Sequence, residues 1–272
     1  MFQPNAFKKY LTTFEMGFET ALEYRLNFAI SLISAAYPIL IQTFLWTAIY
    51  QSTTEDALFG YTYRQIIAYT LLAGIVVRIV RTGFEYEIMQ DVKTGKFSKF
   101  LVQPLGYFAY RLADFLGQKV PNLVMLFALL ALMLLGLNVV WGVSVEFGRI
   151  LLFLVTLALA LALNFVIFFC ISSIAFWIVE IGFLFEGVRI VIILLSGGIF
   201  PLEVFGETFV RITDLLPFKY TVSYPINVLN GKVAAEDILP HMLLQCFWIG
   251  ACALLARGLW RVGSQRYVAV GG

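Results

Sequence analysis

The sequence is short of charge. Only 13% of its 272 residues are Asp, Glu, Lys or Arg, about half the usual ~25%, while 61% are hydrophobic, against about 45–50% in soluble proteins. A soluble monomer of that make-up has too little polar surface to cover its core, so a soluble enzyme and a disordered chain are both excluded. Histidine occurs once and cysteine three times. Cys170, Cys246 and Cys252 lie inside apolar runs and read as small core residues, not as a disulfide framework. The single His241 has no His, Cys or Asp partner at ligand spacing, which predicts an interfacial residue and no metal site. The net charge of +2 makes no case for a nucleic-acid partner.

Nucleotide chemistry is missing as well. Thr94-Gly95-Lys96-Phe97-Ser98 lacks both the upstream glycine of a phosphate loop and the hydroxyl directly after its lysine. No segment between apolar runs is long enough to fold a nucleotide-binding domain. The first 25 residues mix charged and apolar side chains and have no cleavable signal core, so the first span is expected to anchor itself.

What the chain does have is long apolar runs, each to be compared with the ~20 residues that cross a bilayer. They predict an all-α, polytopic membrane protein forming one domain over residues 1–272, with six spans at 27–50, 65–80, 120–140, 150–172, 181–200 and 238–260. With both termini cytoplasmic, Lys8, Lys9, Arg25, Arg81, Lys93, Lys96, Lys99, Arg111, Lys119, Arg257, Arg261 and Arg266 are inside, and only Arg64, Arg149, Arg211, Lys219 and Lys232 are outside. That asymmetry favours this orientation.

Three segments lie between or beside the spans. In residues 1–25, Phe7, Leu11, Phe14, Phe18 and Leu22 share one helical face while Glu15, Glu19 and Glu23 line another, which predicts an amphipathic helix on the inner membrane surface. Residues 81–119 are the longest cytoplasmic stretch, expected as helical pieces broken at Gly95 and Pro104. Its Glu85, Glu87 and Asp91, mixed with Arg81 and Lys93, read as a solvated charged face and not as a cation site. In residues 201–237, Leu202, Phe205, Phe209, Ile212 and Leu216 predict a short helix lying in the outer interface or dipping into the membrane.

Polar groups inside spans are few. Asn27, Ser31, Ser34, Pro38 and Gln42 form a stripe on the first span that either lines a substrate path or packs against a neighbouring helix. Glu186 and Arg189 are three apart in the fifth span and read as a structural pair, with an ion relay as the alternative. Asn164 in the fourth span is expected to hydrogen-bond between helices.

This layout resembles the membrane subunit of ABC-2 type transporters. The specific stretches are Asp91-Val92-Lys93-Thr94-Gly95-Lys96-Phe97-Ser98-Lys99-Phe100-Leu101-Val102-Gln103-Pro104-Leu105 and Ser196-Gly197-Gly198-Ile199-Phe200-Pro201-Leu202, the latter together with Leu216-Pro217-Phe218-Lys219-Tyr220. The resemblance implies a permease that binds no cofactor itself, with ATP and Mg on two copies of a separate ATPase. It also implies a second, identical or related permease subunit, surrounding membrane lipid, and export of a hydrophobic or amphipathic substrate across the cytoplasmic membrane of a prokaryotic cell. By the same resemblance Glu87, Asp91, Gly95, Lys96, Phe97, Leu101 and Pro104 belong to the ATPase-coupling region. Gly197, Gly198, Pro201 and Pro217 shape the outer dip, and the Asn27–Gln42 stripe becomes a wall of the substrate route. An ion-coupled secondary transporter or channel is the alternative, although no internal repeat supports it. A membrane-embedded transferase is weaker still for want of an acid or metal constellation.

Overall fold

Apolar helices that cannot each hide every face pack against one another in a bundle. The computed structural model describes residues 6–102, 106–142, 145–178 and 180–267, with only the backbone given for residues 6, 7, 25, 27–29, 31, 32 and 35. In chain order the elements are α1 (Ala6–Glu23), α2 (Arg25–Gln51), β1 (Ala57–Leu58), β2 (Tyr61–Thr62), α3 (Tyr63–Val80), α4 (Phe84–Lys93) and α5 (Ser98–Val102). There follow α6 (Tyr107–Trp141), α7 (Phe147–Ser172), α8 (Gly182–Leu195), α9 (Glu207–Asp214), α10 (Ser223–Leu229) and α11 (Ala235–Arg266). The antiparallel hairpin β1–β2 is the one departure from an all-α fold among the described residues.

Four stretches among the described residues are long and apolar enough to cross a membrane: Tyr63–Lys93, Tyr107–Trp141, Phe147–Phe176 and Ala235–Arg266. Helix α3 is the central one, with 67% of its apolar window buried against 11% in α11. It starts at a capping box. Thr62 Oγ1 accepts from the Gln65 backbone amide at 3.4 Å, and Gln65 Oε1 accepts from the Thr62 amide at 2.9 Å. Two core clusters follow, one around α3, α6 and the first turns of α7, the other around the last turns of α7, α5 and α11.

Several expected boundaries move. Residues 120–140 are only the second half of α6, which runs unbroken from Tyr107 through Pro121. Residues 181–200 contain a helix of 14 residues that stops at Leu195, because Gly197 takes φ +76 and turns the chain. The turn expected near Ser172 is present as a 3₁₀ turn at Ser173–Phe176. The face from Leu202 to Leu216 is not one helix: it breaks at Gly206 into a 3₁₀ turn, Leu202–Phe205, and α9. A further helix, α10, is buried along its whole length against α7 and α3.

Helix α1 lies along the first turns of α6. Tyr10 Oη accepts from the Gly106 amide at 3.0 Å, and the two backbones meet at Gly17 and Gly117, where a Cβ on Gly117 would stand 2.1 Å from the Phe14 carbonyl oxygen. Leu11 and Leu22 of the expected apolar face remain exposed, while Phe14 and Phe18 are half-buried. Because a backbone oxygen cannot swing aside, Gly117→Val must separate the helices. Limited trypsin digestion should then cut at Lys8 and Lys9 several-fold faster than in the unaltered chain; an unchanged rate would mean that α1 is held by other contacts.

Candidate coupling site

After α3 ends at Val80, residues 81–83 turn the chain into α4. Phe84, Ile88 and Val92 are spaced by four and bury one face of α4, which leaves its acids to find partners on other helices. Gly95, at φ +78, then reverses the chain into α5, with the Phe97 amide donating to the Asp91 carbonyl at 2.9 Å. Phe97 does not face outward: it is 2% exposed, and its ring centroid lies 5.1–5.5 Å from those of Tyr107, Phe176, Trp260 and Tyr267. Phe100 is buried against Tyr107 at 4.7 Å. The two rings pin the α4–α5 elbow to the bundle. Lys96, Lys99, Leu101 and Val102 are left pointing away, the last two 58% and 84% exposed. Pro104 lies outside the described residues.

The acids of α4 are not a solvated face. Glu85 is fully buried and receives a hydrogen bond from Arg189 on α8. Arg189 also donates to the Thr82 carbonyl at 3.3 Å and stands 3.7 Å from Glu186, while the Tyr86 hydroxyl donates to Glu186. The pair expected between Glu186 and Arg189 is thus one edge of a larger cluster. On the other flank, Arg111 of α6 donates to both Glu87 and Asp91 and lies 3.6 Å from Asp114. The Tyr107 hydroxyl donates to Asp91 at 2.8 Å and accepts from Arg111 Nε at 3.1 Å. Burial pushes the Glu87 carboxyl up, and the neighbouring Arg111 only partly offsets it. At the exposed rim, Lys93 binds Glu180 of the α7–α8 connection and holds that carboxyl below its ordinary range.

Sequence reasoning missed Glu85, Arg111 and Tyr107 because their partners are distant in the chain. Asn164 behaves as expected, its Nδ2 donating to the Val80 carbonyl at 2.6 Å, where α3 runs out of intrahelical partners. Beside this cluster a cavity of about 270 Å³ runs along α8 from Arg189 and Glu186 past Asn164 to Ser196 and Thr221. The expected polar stripe is elsewhere. Ser34 and Pro38 are exposed on α2, Gln42 is half-buried, and the side chains of Asn27 and Ser31 lie outside the described residues.

At the opposite end, Gly197, Gly198 and Pro201 belong to the turn that follows α8, while Pro217 stands at the start of a separate 3₁₀ turn, Phe218–Thr221. The Gly197 carbonyl accepts from the Tyr69 hydroxyl at 2.8 Å, the Ser196 carbonyl accepts from the Ser223 amide at 2.9 Å, and both prolines are buried. A Cβ at position 197 would stand 2.6 Å from the Tyr69 hydroxyl oxygen. Two arginines here serve the backbone: Arg149 donates to the Val228 and Val233 carbonyls at 3.2 and 3.4 Å, and Arg64 to the Trp141 carbonyl at 3.3 Å, while Arg211, Lys219 and Lys232 pair with Glu207, Asp214 and Glu203. His241 stacks on Tyr224, with ring centroids 5.5 Å apart. No group of three His, Cys, Asp or Glu able to hold a metal occurs among the described residues.

Removing one partner of a buried ion pair leaves an uncompensated charge and costs about 3–5 kcal/mol. Arg111→Met should therefore lower the Tm of the detergent-purified chain substantially, and Asp91→Asn added to it should recover part of the loss. A melting curve unmoved by Arg111→Met would remove this cluster from the list of structural supports.

The family model described as "ABC-2 family transporter protein" matches residues 36–271, from within α2 past the end of α11. No curated protein and no solved structure matches the chain. A polytopic, apolar helical chain with no nucleotide loop, matched over nearly its whole length, belongs to the ABC-2 family of transporter membrane proteins.

Proposed function

We propose that this chain is the permease subunit of an ABC exporter and that the α4–α5 elbow receives the force of a separate ATPase. The observation that carries the reading is the elbow's two-sided character. Its outer side offers Lys96, Lys99, Leu101 and Val102 to a partner, while its inner side is tied by charge to two different helices. A push on α4 is passed to α8 through Glu85 and Arg189, and to α6 through Glu87, Asp91 and Arg111. ATP and Mg belong on the ATPase, two copies of which serve two permease subunits, identical or related.

Six spans, α2, α3, α6, α7, α8 and α11, suit this role. In support, α1, α4, α5 and the last turn of α11 lie at one end of the bundle, with the hairpin and residues 196–234 at the other. An even number of crossings brings both termini to the end where Lys8, Lys9, Lys96, Lys99, Arg257, Arg261 and Arg266 are exposed. That end is the cytoplasmic one, with α1 near the inner surface, in the cytoplasmic membrane of a prokaryotic cell. Exposed apolar residues of α2, among them Ile33, Tyr37 and Phe44, supply the surface for the second permease. The Ser34–Gln42 stripe beside them becomes one wall of a route for a hydrophobic or amphipathic substrate.

The cavity beside Arg189 favours a second reading, an ion-coupled transporter or channel, because Thr82 on its wall has a buried Oγ1 without a hydrogen-bond partner among the described residues, as has Oε2 of Glu85, the acid that Arg189 holds. The two readings separate in one experiment. With a candidate ABC ATPase that binds the unaltered chain, the triple variant Lys96→Glu, Lys99→Glu, Leu101→Asp should lose both association and transport-stimulated ATP hydrolysis at an unchanged Tm, since all three side chains are exposed. Intact association, or proton-driven uptake by liposomes holding this chain alone, would overturn the permease reading.

A further inference from the structure

At the end of the bundle that carries α4 and α5, α6, α7 and α11 enclose an open cavity of about 650 Å³, within the size range of small-molecule sites. Its floor is aromatic: Phe169 lies 4.9 Å from Phe108 on one side and 4.9 Å from Trp260 on the other, and Trp260 stacks on Tyr107 at 4.9 Å. Arg257 and Arg261 stand on its rim, one turn apart on α11 and both exposed. Neither has an ion-pair partner among the described residues; of the acids on the neighbouring α4 and α6, Glu87, Asp91 and Asp114 are committed to Arg111 and Glu85 to Arg189. Toward the middle of α11 the rim ends at Ala253, beside the exposed Leu254.

We infer that this groove binds one anionic phospholipid, with its phosphate held by Arg257 and Arg261 and an acyl chain laid over Phe108, Phe169 and Trp260. Two guanidinium forks a turn apart match the oxygens of a phosphodiester. The apolar floor, which a soluble protein loop or a free phosphate would leave unused, runs into the lipid-facing flank of α11, and aromatic rings of this kind are at home where the acyl region meets water. The site is lined by α6, α7 and α11 alone, away from the cavity beside Arg189; it meets the elbow only from beneath, where Trp260 packs on Phe97, and it needs only that the chain be embedded in a membrane.

The test is native mass spectrometry of the full chain released from detergent containing equal amounts of phosphatidylglycerol and phosphatidylcholine. The unaltered chain should retain phosphatidylglycerol preferentially. Arg257→Gln with Arg261→Gln should cut that preference about thirtyfold, the order expected for two arginines near an anionic lipid, at an unchanged Tm. Ala253→Trp, which fills the groove and keeps both charges, should lower phosphatidylglycerol retention as well. Equal retention of the two lipids, or an unchanged preference in the arginine variant, would overturn the inference. So would displacement of the lipid by inorganic phosphate with Ala253→Trp having no effect, which marks a free-anion site. Loss of ATPase association by the arginine variant with lipid retention intact would likewise overturn it, in favour of a protein contact.

Discussion

Everything at the elbow depends on one constraint: a carboxylate taken fully out of water must be met by a positive charge. Glu85 is such a group, and Arg189 meets it from another helix. The ion pair is weak evidence for stability as such, because desolvation offsets most of its attraction. Its value is positional. A hydrophobic contact tolerates a sliding helix, whereas a buried charge pair does not, so α4 and α8 must move as one body or pass through a state with two unpaired charges. Arg111 ties α4 to α6 in the same manner, with two carboxylates and a tyrosine hydroxyl around one guanidinium. Three helices thereby share a single joint just behind the surface that Lys96, Lys99 and Leu101 present.

The aromatic cluster behind the elbow complements this joint. Phe97 touches rings from the start of α6, the end of α7 and the end of α11, so the reversal at Gly95 is anchored from below while charges fix its direction. A segment held this way has little freedom to move apart from the helices behind it, as the proposed coupling role requires.

Much of the bundle was legible in the sequence, because the solvent that selects it is uniform: apolar runs of sufficient length imply helices, and α3, α6, α7 and α11 are where those runs are. The turn at Gly197 and the break at Gly95 were legible too, since glycine there relieves a left-handed backbone. What failed was any feature set by tertiary contact. Glu85, Glu87 and Asp91 read as solvated because charge on a short segment usually is, and nothing near them in the chain announces Arg111 or Arg189. Phe97 entered the coupling region by resemblance alone, and nothing near it in the chain announces that its ring is core. The docking of α1 on α6 rests on Gly17 and Gly117, each unremarkable alone. Helix α10 was missed because Pro225 and Asn227 give its short sequence the look of a loop, although Arg149 and α7 bury it.

The early stop of α8 also alters the medium around it. With 14 residues it is roughly 21 Å long, about 9 Å short of a typical hydrocarbon core of about 30 Å. If α8 crosses as proposed, the missing length is made up by Ser196–Gly198 and the short helices after them, whose turns carry backbone groups that hydrocarbon cannot satisfy. The protein meets that need itself, with the Ser196 and Gly197 carbonyls accepting from the Ser223 amide and the Tyr69 hydroxyl. The neighbouring helices thus act as the solvent for the end of this span, and α8 can stop early without drawing the bilayer in around it.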